Sequence, residues 1–160
     1  MKRYFILYVD DDELFLDLSK IFLEKNTGFK VEFSTSAMDA MDKLGRGHYD
    51  IIISDYQMPG SNGIEFLKNV RSSYGDIPFI LFTGRGREEV VIDAINNGAN
   101  FYIQKGGDPG AQYTELAHKI RTAVDKKRAE DQLIDSQRTI NRISAGCFTN
   151  ASYGSRTPDR

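Results

Sequence analysis

The chain holds a single cysteine, Cys147, so no internal disulfide can staple it, and a reducing compartment suits it. Neither sign of charge is in excess: 21 Lys and Arg against 23 Asp and Glu leave a formal net charge of -2 at pH 7. A basic field that would hold nucleic acid without regard to sequence is therefore missing, and DNA contact is not expected. Long apolar runs are missing too. The longest near the start, residues 5–9, ends in acids, whereas a secretory signal needs a longer apolar core and a small-residue cleavage site. No membrane segment is read, and the cytoplasm is the expected location. There is no internal repeat or low-complexity block, and the two histidines, His48 and His118, stand alone, which argues against a metal or phosphodonor role for either. What is present is ordinary for a globular protein: 160 residues, 40% hydrophobic and 28% charged, enough for one domain with a real core.

Strand-like runs at residues 4–9, 31–34, 51–54, 79–82 and 101–104 alternate with amphipathic stretches. Three of the runs are apolar on both faces, as central parallel strands are. Val31-Glu32-Phe33 alternates instead and predicts an edge strand. Helical spacing places Leu14, Leu18, Ile21 and Phe22 on one face of the first helix. The same spacing groups Ala37, Ala40, Met41 and Leu44 in the second helix, and Val91, Ala94, Ile95 and Gly98 in the fourth. Asn97-Gly98 predicts a helix stop. Alternation at this pitch predicts a doubly wound α/β domain. Right-handed crossovers then bring the C-terminal ends of all strands to one edge, where such sheets bind ligands.

That edge gathers chemistry. The first run ends in Asp10-Asp11, the third in Asp55, the fourth in Thr83 and the fifth in Lys105. Each alone has an ordinary explanation. Asp10 or Asp11 could cap a helix, Asp55 could start a turn, Thr83 could cap a loop and Lys105 could be a solvated edge lysine. Asp12 and Glu13 are assigned to capping and to the first helical turn. Taken together, three acids at one edge raise each other's pKa unless a cation joins them, and a hard divalent ion such as Mg²⁺ takes oxygen ligands of this kind. A hydroxyl and an ammonium beside them suit phosphoryl oxygens.

These motifs, Val9-Asp10-Asp11, Asp55-Tyr56-Gln57-Met58-Pro59-Gly60, Phe82-Thr83-Gly84 and Tyr102-Ile103-Gln104-Lys105, resemble those of response-regulator receiver domains of two-component signalling, over roughly residues 3–125. The resemblance implies a flavodoxin-like (βα)5 sheet in the order 2-1-3-4-5, and a phosphorylation-dependent switch rather than an enzyme with external turnover. It makes Asp55 the phosphoacceptor. Asp10, Asp11, Asp55 and the backbone carbonyl of Gln57 would hold Mg²⁺, Thr83 and Lys105 would bind phosphoryl oxygens, and Thr83 and Tyr102 would form the switch. Gln57 and Arg85 would tune hydrolysis. The implied phosphodonor is a phosphohistidine on a sensor histidine kinase or phosphotransfer protein.

Two loops depart from the family pattern. Gly106-Gly107 follows the active-site lysine where a proline, often with a cis peptide, is usual, so a looser loop is expected. Gly84-Arg85-Gly86-Arg87 is basic and glycine-rich but lacks the Gly-Lys-Ser/Thr end of a P-loop. Both loops resemble those of receivers in archaeal sensory proteins. A Mg²⁺-dependent phosphohydrolase of the haloacid-dehalogenase type is the alternative function. It wants Asp-x-Asp-x-Thr, and Asp10-Asp11-Asp12-Glu13-Leu14 lacks the threonine. A flavodoxin-like FMN protein would need a phosphate loop where acids stand here.

The last helix is expected to start near Ala111 and to meet no breaker until Gly146. Residues 1–125 then form the receiver, 126–145 a helical extension and 146–160 a disordered tail. In the extension Ala129, Leu133, Ser136, Ile140 and Ile143 follow 4-3-4-3 spacing, a short coiled-coil seam. A homodimer through this helix and the face around the fourth and fifth helices is the expected assembly.

Overall fold

The computed structural model describes residues 2–84 and 88–152, with side chains described as far as residue 145. The elements run β1 (Tyr4–Val9), α1 (Glu13–Glu24), β2 (Phe29–Ser34), α2 (Ala37–Arg46), β3 (Ile51–Ser54), α3 (Gly63–Tyr74), β4 (Phe79–Thr83), α4 (Glu88–Asn96), β5 (Phe101–Gln104) and α5 (Pro109–Ser152). The five strands are parallel, in the order β2-β1-β3-β4-β5. This is the flavodoxin-like arrangement, with a long C-terminal helix. By compactness the chain divides into Met1–Val124 and Asp125–Arg160, and the sheet lies wholly in the first unit.

The interior strands β1, β3 and β4 are buried almost throughout because helices cover both faces. Ile6, Tyr8, Ile53, Ile80 and Phe82 face Leu16 and Leu23 of α1 and Leu116, Ile120 and Val124 of α5. Leu7, Val9, Ile52, Phe79 and Leu81 face the other way, towards Ala40 and Leu44 of α2, Phe66, Leu67 and Val70 of α3, and Ala94 of α4. β2 is an edge strand, as its alternation predicts, although it starts earlier, at Phe29.

Three expectations need correcting. The buried face of α1 is Leu16, Ser19 and Leu23, with Phe15 and Phe22 packed beside them, whereas Leu14, Leu18 and Ile21 are exposed. A serine at the centre of the true face hid the pattern. Ser19 is buried because its hydroxyl donates to the Phe15 carbonyl (2.7 Å) and meets the Tyr113 hydroxyl (2.7 Å). Its one proton is spent on the carbonyl, so Tyr113 is the donor in the second bond. In α4 only Ala94 of the expected face is buried, and Ile95 is about half exposed; Val90, one turn earlier, packs in its place. Finally, α5 starts at Pro109, which suits a first helical turn, and continues through Gly146 to Ser152. One helical glycine costs only about 1 kcal/mol relative to alanine and does not stop a helix. No helix among the described residues is long and apolar enough to cross a membrane.

Candidate functional site

Parallel register brings the candidate residues together. Val9 of β1 lies opposite Ser54 of β3, so the residues that follow, Asp10 and Asp55, leave the sheet side by side. The Asp55 amide donates to the Val9 carbonyl (2.9 Å), and the Asp10 amide to the Ser34 carbonyl (3.0 Å). On the other side Thr83 pairs with Gln104, and the Lys105 amide donates to the Thr83 carbonyl (2.8 Å). Thus four adjacent strand ends supply three acids, a hydroxyl-bearing residue and an ammonium.

Asp10 is buried, Asp55 half-buried and Asp11 exposed, and one carboxylate oxygen from each lies within 4.8 Å of the others. Lys105 Nζ is 2.6 Å from Asp10 Oδ2 and 3.8 Å from Asp55 Oδ2. Burial raises the Asp10 pKa above the ordinary carboxylate value, and the bonds from Lys105 and from the Asp12 amide oppose that rise. Asp55 keeps one oxygen on the Tyr56 amide (2.8 Å). Asp12 stays out of the cluster: it is the N-cap of α1, accepting from the Phe15 amide (3.2 Å), and Glu13 opens the first turn. Both therefore do the capping work expected of them. This placement also leaves no second acid for the Asp-x-Asp pair of the phosphohydrolase alternative.

An oxygen-only donor set with a shared negative charge fits a hard divalent ion such as Mg²⁺, which Asp10, Asp11 and Asp55 could hold. Gln57, exposed in the turn after Tyr56, is close in sequence to this set. Thr83 is buried at the end of β4. Tyr102 is half-buried against the α3–α4 side of the core. Its hydroxyl is enclosed with no hydrogen-bond partner among the described residues, and burial raises its pKa. Arg85 lies outside the described residues. His48 pairs with Asp50 (3.1 Å), away from the acids, and His118 is exposed on α5.

Two features of the site were not legible in the sequence. Lys105 Nζ sits 4.1 Å from the Phe15 ring centroid and 5.7 Å from that of Phe82, so aromatic faces flank its ammonium. Phe15 lies beside the true buried face of α1, which Ser19 masks in the sequence. The second feature is Gly63, the first residue of α3. A Cβ there would lie 2.4 Å from the Asp55 carbonyl oxygen and 2.8 Å from Leu81 Cδ1. Only glycine lets α3 start this close to the Asp55 turn, where the Gly63 amide donates to the Tyr56 carbonyl (2.7 Å).

Residues 6–134 match the model of the response regulator receiver domain. The chain is 30% identical over 146 residues to the phosphate regulon transcriptional regulatory protein PhoB of Escherichia coli, covering 88% of this chain and 63% of PhoB. It is 34% identical over 123 residues to the response regulator SaeR of Staphylococcus aureus, covering 77% of this chain and 51% of SaeR. The chain thus spans less than two thirds of either relative. Among solved structures, a CheY-like response regulator receiver domain protein from Methanospirillum hungatei superposes with a TM-score of 0.72 at 28% identity, over 80% of this chain and 98% of that one. With its five-stranded sheet and the acids at the strand ends, the chain belongs to the response regulator receiver domain family.

Proposed function

We propose that the chain is a phosphorylation-dependent signalling switch whose phosphoacceptor is Asp55. The observation that carries this reading is the approach of the Lys105 ammonium to both Asp10 and Asp55 at one sheet edge, beside the exposed carboxylate of Asp11. A carboxylate oxygen of Asp55 attacks the phosphorus of a phosphohistidine on a sensor histidine kinase or phosphotransfer protein. The P–N bond breaks, the imidazole departs with a proton, and an acyl phosphate remains. Bound Mg²⁺ would neutralise charge shared by the carboxylates and the phosphoryl oxygens. Asp10, Asp11 and the Gln57 carbonyl orient that charge with Asp55, and Lys105 and the Thr83 hydroxyl receive phosphoryl oxygens. Water later attacks the same phosphorus, releasing inorganic phosphate and restoring the carboxylate. The chain catalyses only these two steps on itself, in the cytoplasm.

Thr83 and Tyr102 report the modification. Thr83 is attached to the loop that opens α4, so its movement towards a phosphoryl group displaces that loop, and the Tyr102 hydroxyl, without a hydrogen-bond partner among the described residues, follows it. Gln57 and Arg85, two residues after Asp55 and Thr83, set the lifetime of the acyl phosphate.

Residues 1–125 act as the receiver and 126–145 as a helical extension that pairs with a second copy. Leu133, Ile140 and Ile143 of the seam are exposed. Of the positions flanking it, Glu130 is charged and Gln132, Gln137, Thr139 and Ser144 are not, while Asp131, Asp135, Arg138 and Arg142 lie on the opposite side of the helical repeat. From Gln132 onward the stripe carries no charge, so two identical helices meeting along it place no like charges against each other there. Two heptads are marginal alone, so the face around α4 and α5 contributes as well, where Ile92 and Ile95 are exposed.

Incubation with Mg²⁺ and acetyl phosphate, read by intact mass, tests the reading. One added phosphoryl group on the wild type and none on Asp55→Asn is expected; equal labelling of the two proteins overturns it.

A further inference from the structure

The loop that carries Lys105 has little of its own to hold it. Gly106 and Gly107 follow at φ +137° and +82°, a region open to glycine and to few other residues. Successive glycines give the chain wide freedom in the unfolded state and no side chains for packing in the folded one. Sequence alone therefore expects looseness here. The loop is nevertheless tied, by a residue of α5.

Gln112, half-buried in the first turns of α5, donates through Nε2 to the Gln104 carbonyl (2.7 Å) and to the Gly106 carbonyl (3.2 Å). These carbonyls belong to the residues immediately before and after Lys105. Two carbonyl acceptors need two donors, so the amide orientation follows from chemistry: the NH₂ end, with its two hydrogens, must face the loop. Gln112 is itself anchored, since its backbone amide donates to the Asp108 carbonyl (3.0 Å), while Asp108 Oδ2 accepts from the Ala111 amide (2.9 Å). On the opposite side the Lys105 amide is held by the Thr83 carbonyl. The backbone at Lys105 is thus pinned between β4 and α5, and its side chain is flanked by Phe15 and Phe82.

We infer that Gln112 is a positioning residue for phosphoryl transfer: its side-chain amide clamps the glycine loop so that the Lys105 ammonium is held between the Asp10 and Asp55 carboxylates. The inference rests on the reading of Asp55 as phosphoacceptor. Gln112 touches neither the acids nor the phosphoryl group, and it acts through Lys105. The effect sought is consequently one that vanishes when Lys105 is absent. A residue that merely stabilised α5 would affect folding in either background and would discriminate nothing at the site.

The test is a double-mutant cycle on the full chain. Gln112→Met keeps the length of the side chain and removes both donors, and Gln112→Glu keeps its shape and turns donors into acceptors. Each is made with Lys105 present and in a Lys105→Met background. Phosphorylation by acetyl phosphate is followed by intact mass, beryllofluoride and Mg²⁺ affinities by calorimetry, and stability by thermal unfolding. With Lys105 present, Gln112→Met should slow phosphorylation and weaken beryllofluoride binding about fivefold, the scale of one net hydrogen bond. Gln112→Glu should do so more strongly. Mg²⁺ affinity should change less than the phosphorylation rate in both, because Gln112 reaches the acids only through Lys105. In the Lys105→Met background neither substitution should have a further effect.

An unchanged rate in both Gln112 variants, or the same loss in both backgrounds, overturns the clamp while leaving the reading of Asp55 intact. A wild type that takes up no phosphoryl group on Asp55 overturns both.

Discussion

Lys105 bonds Asp10 at 2.6 Å and stands 3.8 Å from Asp55, so its ammonium is committed first to the most buried acid and only second to the half-buried one. Asp10 is almost fully enclosed, and without this partner its charge would be uncompensated. Lys105→Met should therefore destabilise the metal-free protein by about 3 kcal/mol at neutral pH. Urea unfolding of the two proteins in a chelating buffer measures it. A loss of less than about 0.5 kcal/mol, the scale of an ordinary surface substitution, would contradict the need for this partner.

Gly63→Ala should disturb the Asp55 turn. The new methyl would meet backbone, the Asp55 carbonyl oxygen, and backbone cannot swing aside as a long side chain can. Overpacking of this kind costs about 2 kcal/mol, and phosphorylation should slow because the carboxylate moves with its turn. Thermal unfolding and acetyl phosphate labelling report the two effects. A variant as stable and as fast as the wild type would contradict the close approach.

Asn62 caps α3 by accepting from the Ile64 (3.0 Å) and Glu65 (2.9 Å) amides. Asn62→Ala should cost about 1 kcal/mol, as other N-cap losses do, and Asn62→Asp should be nearly neutral, since aspartate caps as well. Chemical denaturation of the three proteins ranks them.

The orientation of α1 makes a pair of contrasting predictions. Ile21 is exposed and Leu16 is buried on the same helix. Ile21→Lys should change stability by less than about 0.5 kcal/mol, whereas Leu16→Ala should cost about 3 kcal/mol through lost burial and a cavity. The reverse order would restore the face that helical spacing alone suggested.

Self-association should depend on the seam of the extension. Leu133→Asp with Ile140→Asp places charges where two copies would meet and should weaken any dimer by at least tenfold, since a buried unpaired charge costs more than the roughly 1.4 kcal/mol that tenfold represents. Sedimentation at several concentrations, with and without beryllofluoride, measures it. Identical behaviour of wild type and variant would leave the extension a solvated helix.

The sequence by itself determined the alternation of elements, the bounds of β1, β3 and β5, and the identity of the acids, Thr83 and Lys105 at the strand ends. Buried parallel strands must be apolar on both faces, so a polar residue that closes such a run marks the edge of the sheet. Local chemistry was enough there, as it was for the Asp12 cap. Other features came only with the tertiary structure. The rotation of α1 depends on Ser19 having partners, one of them Tyr113, which is 94 positions away along the chain. The choice of Asp10 as partner for Lys105 spans 95 positions. The need for glycine at residue 63 arises from the Asp55 carbonyl that packs against it, and the restraint on Gly106 comes from a side chain on the next helix. A polar residue in a core face, an ion pair or a close approach is decided by what the fold brings opposite it, and neither periodicity nor composition encodes that opposite partner.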